Sequence, residues 1–336
     1  SRPDQGRFEV HDEACRNKKP GEAFMSALLP HSGASSALDF GDLAHSPMAA
    51  FDRMSQADLR SLSELLKTRP KSDLTPIRTV HHFACTGGTL IARGLQSQPN
   101  ALLLSEVDPL STIQLNTQRS RFAPTDPILL ARGALSPIDE DTAVEMFCAS
   151  MKALHARMDR IGRRLILRDH AHSQFCTDTD WERRPTLAAM LADWFPLRSI
   201  VTVRHPIDSY LALDRNDWRH FSPFSLEEYA RRYLAFLSAY QNVAIIRYER
   251  FVSDPDETMR EICRHLELAY NPDWKALISV MRLSGDSGRR GDKIAPRSRR
   301  HYSDELVVEA EASGAYQDLC LQLGYDAELD RAEHAC

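Results

Sequence analysis

The sequence predicts an α/β fold, a central parallel sheet of about five strands with helices on both faces. Three observations point there. Short, apolar, β-branched runs alternate with segments of helical period, as strands and crossover helices do in a parallel sheet. One of these runs, Thr79-Val80-His81-His82, passes through the small-residue turn Phe83-Ala84-Cys85-Thr86-Gly87-Gly88-Thr89 straight into a helix start at Leu90-Ile91. Another, Ser199-Ile200-Val201-Thr202-Val203, ends in Arg204, and Pro206 then suits the opening of a helix.

Taken in order, residues 1–47 are polar and punctuated by Gly, Ser and Pro, which reads as an irregular arm. Residues 47–68 carry Met48, Phe51, Met54, Leu59, Leu62 and Leu65 as a helical stripe that Pro70 ends. The chain thus divides into an N-terminal arm and helix over 1–70 and a domain over 71–336. Within the domain, strands are expected at 78–84, 101–105, 164–168, 199–203 and 243–247. Helices are expected at 88–97, 140–162, 182–194, 206–214, 225–240, 256–267 and 303–323. After the last strand a loop is expected, and Asp254-Pro255 then starts the next helix. Two irregular insertions, 107–139 and 214–223, have the length and position that shape an acceptor pocket at the ligand edge of a sheet.

Composition narrows the function classes. Hydrophobic residues at 43% and charged residues at 26% describe an ordinary globule. A formal charge of -5 argues against a nucleic-acid partner, while local basic clusters still suit a small anion. No apolar run reaches the roughly 18–20 residues of a membrane helix. No apolar core of a signal peptide follows Ser1-Arg2-Pro3-Asp4-Gln5-Gly6. The seven cysteines are scattered and odd in number, which reads as reduced thiols, and the expectation is a cytoplasmic protein. The pairs His81-His82 and His170 with His172 have no carboxylate or cysteine at a ligand spacing, so no metal is expected.

The turn after the first strand has the makings of an anion site. Backbone N–H groups at a helix start converge with the helix dipole on one point. Gly87 and Gly88 let the backbone come close to the anion, and Thr86 and Thr89 offer hydroxyl donors. The Lys-Ser/Thr pair of the ATPase P-loop is missing. Arg204 falls at the carboxyl end of a strand, where open α/β sheets bind their ligands. Glu106 follows the strand Ala101-Leu102-Leu103-Leu104-Ser105 at its carboxyl end.

In this order and on these elements, the segments resemble the sulfotransferase family, which moves a sulfuryl group from 3′-phosphoadenosine-5′-phosphosulfate (PAPS) to a hydroxyl or amine. The resemblance spans roughly residues 77 to 325 and implies the P-loop nucleotide-hydrolase-like fold of that family. It casts Cys85-Thr86-Gly87-Gly88-Thr89 as the 5′-phosphosulfate loop, and Arg204 with Ser209 as the 3′-phosphate element. The family serine position, eight residues after the arginine, is Ala212 here, and Ser209 lies one turn earlier. Tyr248 of Tyr248-Glu249-Arg250-Phe251 is expected near the nucleotide, and Arg290 and Lys293 in a basic loop that closes over it. Leu165-Ile166-Leu167-Arg168-Asp169-His170 is similar to the segment that ends the third strand, so Arg168 neutralises transition-state charge, and either Glu106 or His170 is the base. The implied donor is PAPS, released as adenosine 3′,5′-bisphosphate. The acceptor is a small molecule or glycan, with Trp218, His220 and Phe221 suited to a sugar face in a carbohydrate or glycolipid. One departure stands out: the family's basic residue at the loop opening is Cys85. Either Arg168, Arg93 or the C-terminal basic residues compensate, or the chain is an impaired nucleotide- or sugar-binding relative.

Overall fold

The computed structural model describes residues 71–113, 123–281, 283 and 294–329, all within the unit Pro70–Cys336. The arm and helix expected over 1–70 lie outside the described residues, as do Arg290 and Lys293. Five parallel strands form one sheet in the order β2-β3-β1-β4-β5. They are β1 (Ile77–His82), β2 (Ala101–Val107), β3 (Arg164–Asp169), β4 (Leu197–Val203) and β5 (Ala244–Arg247). The central strand, β1, is buried along its whole length. Its neighbours β3 and β4 lead away in opposite directions, which opens a crevice at the carboxyl ends of these three strands.

Helix starts follow local chemistry. The first helix, α1 (Gly88–Gln96), opens directly from the turn after β1. Asp126 and Asp139 cap α2 (Pro127–Arg132) and α3 (Glu140–Arg160), each accepting from the N–H three residues on. After β3 comes the short α4 (Ala171–Phe175), and Thr186 caps α5 (Leu187–Ala192). Pro206 stands at the start of α6 (Pro206–Arg215), and Ser225 caps α7 (Leu226–Ala239). Next come α8 (Tyr248–Ser253), the Asp254-capped α9 (Pro255–His265) and α10 (Trp274–Leu277). The last two are α11 (Asp304–Ala312) and α12 (Gly314–Leu323).

Alternation along the strands sorts the core onto two faces. Val80, Ile166, Ile200 and Ile246 pack with α1, α9 and the fully buried Trp274. Leu165 and Leu167 meet α3 and α5, while Val201 and Val203 meet α6 and α7. The same parity places Arg168 and His82 on the α1 face. His81 and Asp169 fall on the other, where Asp169 pairs with His81 Nδ1 and accepts from the Tyr240 hydroxyl, both at 2.7 Å. His81 and His82 therefore point to opposite sides of the sheet and cannot share a metal.

Three boundaries differ from the sequence reading. The helix expected over 182–194 is only Leu187–Ala192, because the chain before Thr186 runs as turns and Thr186 caps the helix behind Pro185. The helix expected over 303–323 breaks at Ser313, whose extended backbone and hydroxyl, bonded to Tyr316 N–H, start a second helix. The loop expected after β5 is α8, which begins at Tyr248 without a linker. Among the described residues no helix is long and apolar enough to cross a membrane.

Candidate active site

The turn between β1 and α1 is closed by Thr86, whose backbone N–H and hydroxyl both donate to the Phe83 carbonyl, at 3.3 and 2.8 Å. Thr86 is buried with its hydroxyl proton turned to that carbonyl, and it still lies among the residues that line a cavity at the carboxyl end of β1. Gly87 caps α1 at φ +87°, and a Cβ there would stand 2.2 Å from the Tyr248 ring. A Cβ on Gly88 would stand 2.6 Å from the His82 ring. Both glycines are therefore required sterically, the first also by its left-handed backbone. Gly87, Gly88 and Thr89 line this cavity of about 1140 Å³ as well. The first N–H groups of a helix lack intrahelical partners and point out of its start. Cys85 lines the same cavity and receives a contact from Asn216 Nδ2 at 3.7 Å. Burial pushes its thiol up to about 12, so at neutral pH it is neither a thiolate nor a nucleophile.

Glu106 owes its position to a bulge. β2 and β3 stay in register from Ala101↔Arg164 to Leu104↔Leu167, and the register then shifts before Val107↔Asp169. Ser105 and Glu106 thus oppose Arg168 alone, and Glu106 takes φ +58°. Both side chains turn to the same guanidinium: Arg168 donates to Ser105 Oγ at 2.7 Å and pairs with Glu106 Oε1 at 2.6 Å. It also donates to Thr89 Oγ1 at 3.0 Å, so one arginine that is 3% exposed ties the turn after β1 to the carboxylate. Burial raises the Glu106 carboxyl to about 7, with Arg168 opposing the rise. His170 Nε2 lies 3.6 Å from Glu106 Oε2, and burial lowers the pKa of this imidazole, leaving it neutral at pH 7. The three residues read as catalytic from the sequence, Glu106, Arg168 and His170, meet at one end of β2 and β3.

Arg204 follows β4 and lies over the Tyr248 ring, 5.0 Å from its centroid. Tyr248 in turn packs against Gly87, so the two expected nucleotide elements share one aromatic ring. Arg215, Arg297 and Arg300 line the cavity beside Arg204, and none of these four forms an ion pair among the described residues. Burial and the charges of Arg215 and Arg204 lower the Arg300 pKa. Unpaired guanidinium groups that crowd one another are relieved by a bound anion.

Ser209 is a correction. Its hydroxyl donates to the carbonyls of His205 (2.9 Å) and Pro206 (3.1 Å), it is fully buried, and it does not line the cavity. A serine in the first helical turn satisfies itself on the preceding carbonyls. Ala212, three residues on, does line the cavity, as do Arg215 and Asn216. Arg215 and Asn216 were missed, although their i, i+3, i+4 spacing from Ala212 was available as a signal.

The insertion after α6 divides its aromatics. Trp218 and His220 line the cavity, Trp218 standing edge-on to His172, with His172 Nε2 3.0 Å from His220 Nδ1. Phe221 does not: it is buried against Phe224, with Arg232 4.6 Å over its ring, and it anchors the loop. Ile113, Ile128, Leu129 and Phe147 add apolar lining.

The family model described as "Sulfotransferase family" matches residues 84–272, more than half of the 336 residues. The chain belongs to the sulfotransferase family. Enzymes of this family are PAPS-dependent, and the sulfotransferase described here shares the fold class expected of it, a five-stranded parallel sheet flanked by helices. No curated protein matches the sequence. Among solved structures, the sulfotransferase is similar to the sulfotransferase domain from the curacin biosynthetic pathway, at 15% identity and a TM-score of 0.46, over 76% of this chain and 99% of that one. The sulfotransferase domain of the Synechococcus PCC 7002 olefin synthase matches at 18% identity and a TM-score of 0.42, over 76% and 98%. A sulfotransferase from Alicyclobacillus acidocaldarius matches at 16% identity and a TM-score of 0.40, over 75% and 97%.

Proposed function

We propose that this sulfotransferase transfers a sulfuryl group from PAPS to a hydroxyl of a carbohydrate or glycolipid acceptor, with Glu106 as general base. The observation that carries the reading is the meeting, in one cavity, of arginines without an ion pair among the described residues, a glycine turn at a helix start and the Glu106–Arg168 pair. These residues fit a nucleotide with phosphates at both ends: Arg204 and Tyr248 for the 3′-phosphate, Gly87, Gly88 and Thr89 for the 5′ end. PAPS, when bound, supplies the sulfuryl group and leaves as adenosine 3′,5′-bisphosphate. Glu106 takes the proton of the acceptor hydroxyl as the oxygen attacks. Arg168 holds Glu106 and Thr89 in one frame and offers positive charge where negative charge develops. His170, neutral and beside Glu106, orients the hydroxyl. Trp218 and His220 suit a sugar face, and Ile128, Leu129 and Phe147 suit the apolar part of a glycolipid. Nothing in this scheme calls on a metal.

Calorimetric titration with adenosine 3′,5′-bisphosphate, beside Arg204→Ala and an ATP control, tests the nucleotide site. Binding that is lost in the variant and much weaker for ATP supports it, and no binding to the wild type sinks it. A screen of free sugars against glycolipids, with PAPS as donor, then tests the acceptor. Binding without turnover on any acceptor would identify the impaired relative instead.

A further inference from the structure

From Phe83 to Thr89 the strand–helix loop contains no lysine or arginine. The residue that opens it, Cys85, holds its proton. Helix-start N–H groups supply only partial charge, so a phosphate seated on this loop needs a full cation from elsewhere. Arg168 is committed to Ser105, Glu106 and Thr89. Arg300 is placed differently. It lines the cavity together with Cys85, and its Nη1 is buried with no hydrogen-bond partner among the described residues. Of the cavity's arginines, Arg204 and Arg300 are the two whose charges reach the Cys85 thiol. The segment 294–303 that carries Arg300 has no regular secondary structure, yet it is tied down on both sides of this residue. Arg299 donates to the Leu329 carbonyl at 2.7 Å and pairs with Asp208 at 3.4 Å, and the Tyr302 hydroxyl donates to the same carbonyl at 3.2 Å.

We infer that Arg300 supplies the cation that the loop lacks, as a binding residue for the 5′ end of the nucleotide delivered from the C-terminal segment. This rests on the nucleotide reading of the site given above. The charge is then a tertiary feature: it reaches the loop only when the Leu329 and Asp208 contacts hold the segment in place.

The test titrates the full chain with adenosine 5′-monophosphate, which has only the 5′ phosphate, and with adenosine 3′,5′-bisphosphate. Arg300→Ala is expected to weaken both nucleotides by the same factor, about 10- to 100-fold, the worth of a charge-assisted contact. Arg204→Ala should weaken the bisphosphate far more than the monophosphate. Cys85→Arg in the Arg300→Ala background should restore both, because it returns the cation to the loop. Arg300→Gln, close in size to arginine, is measured alongside so that lost packing is not read as lost charge. Unchanged binding by Arg300→Ala, loss of the bisphosphate alone, or no rescue by the double variant would each overturn the inference while the nucleotide site stands. If the wild type binds neither nucleotide, the reading of the site fails and the inference fails with it.

Discussion

A carboxyl group with a pKa of about 7 is ionised in only part of the molecules at neutral pH, so the proton on Glu106 should govern the rate. Turnover is expected to rise as pH passes through about 7 and to level off above it. In Glu106→Gln the rate should fall by about 10²- to 10⁴-fold and lose this pH dependence, with nucleotide affinity unchanged. Pre-steady-state rates across pH 5.5–8.5 (a range of about three units) would check both points. The same group has a stability consequence of defined sign. Its folded pKa lies above the unfolded value, so its stabilising effect is full below about 4.5 and is lost as pH rises through about 7. Glu106→Gln should therefore melt higher than the wild type at pH 8, by up to about 3 kcal/mol, with the gap closing at pH 5. A variant that melts lower at pH 8 would show that the Arg168 pair outweighs the burial cost.

At the scale of elements, the turn after β1 and the bulge in β2 do most to place the site. Alanine at Gly87 must adopt φ +87° and push the Tyr248 ring aside. The backbone term alone costs about 1–2 kcal/mol, and the ring displacement should also abolish nucleotide binding. Gly162 is the control, because its φ is +73° and a Cβ there would touch nothing. Gly162→Ala should show the backbone cost in a thermal melt and leave binding intact. These elements differ in how well the sequence shows them. The strands and the glycine turn were legible from apolar runs and small residues. The bulge was not, because nothing in Leu104-Ser105-Glu106-Val107 marks which residue is extra; the pairing with β3 decides it. The break at Ser313 was missed because the apolar pattern runs through it, although a serine before glycine is a capping signal.

Across the whole molecule, the cavity is assembled from the turn after β1, the ends of β2 and β3, one face of α6, Tyr248 and the C-terminal segment. A ligand that bridges these parts stabilises the fold by mass action. Adenosine 3′,5′-bisphosphate at about 100 times its Kd should add about 2.7 kcal/mol, a rise in Tm of several degrees by differential scanning fluorimetry. Arg204→Ala should lose most of that rise. A shift of equal size with ATP would argue against a site shaped for two separate phosphates.

The sequence by itself determined the α/β class, the parallel sheet, the glycine turn at a helix start and the family. Each depends on local pattern: apolar period, small residues at a helix start, an arginine at a strand end. It also brought Glu106, Arg168 and His170 into view. Only the tertiary structure decided which polar groups are already spent. Ser209 satisfies itself on nearby carbonyls, Phe221 is an anchor, and Arg215 and Arg300 face the cavity. The physical reason is that a hydrogen bond or a charge acts through distance and burial, and packing sets both for residues far apart in the chain.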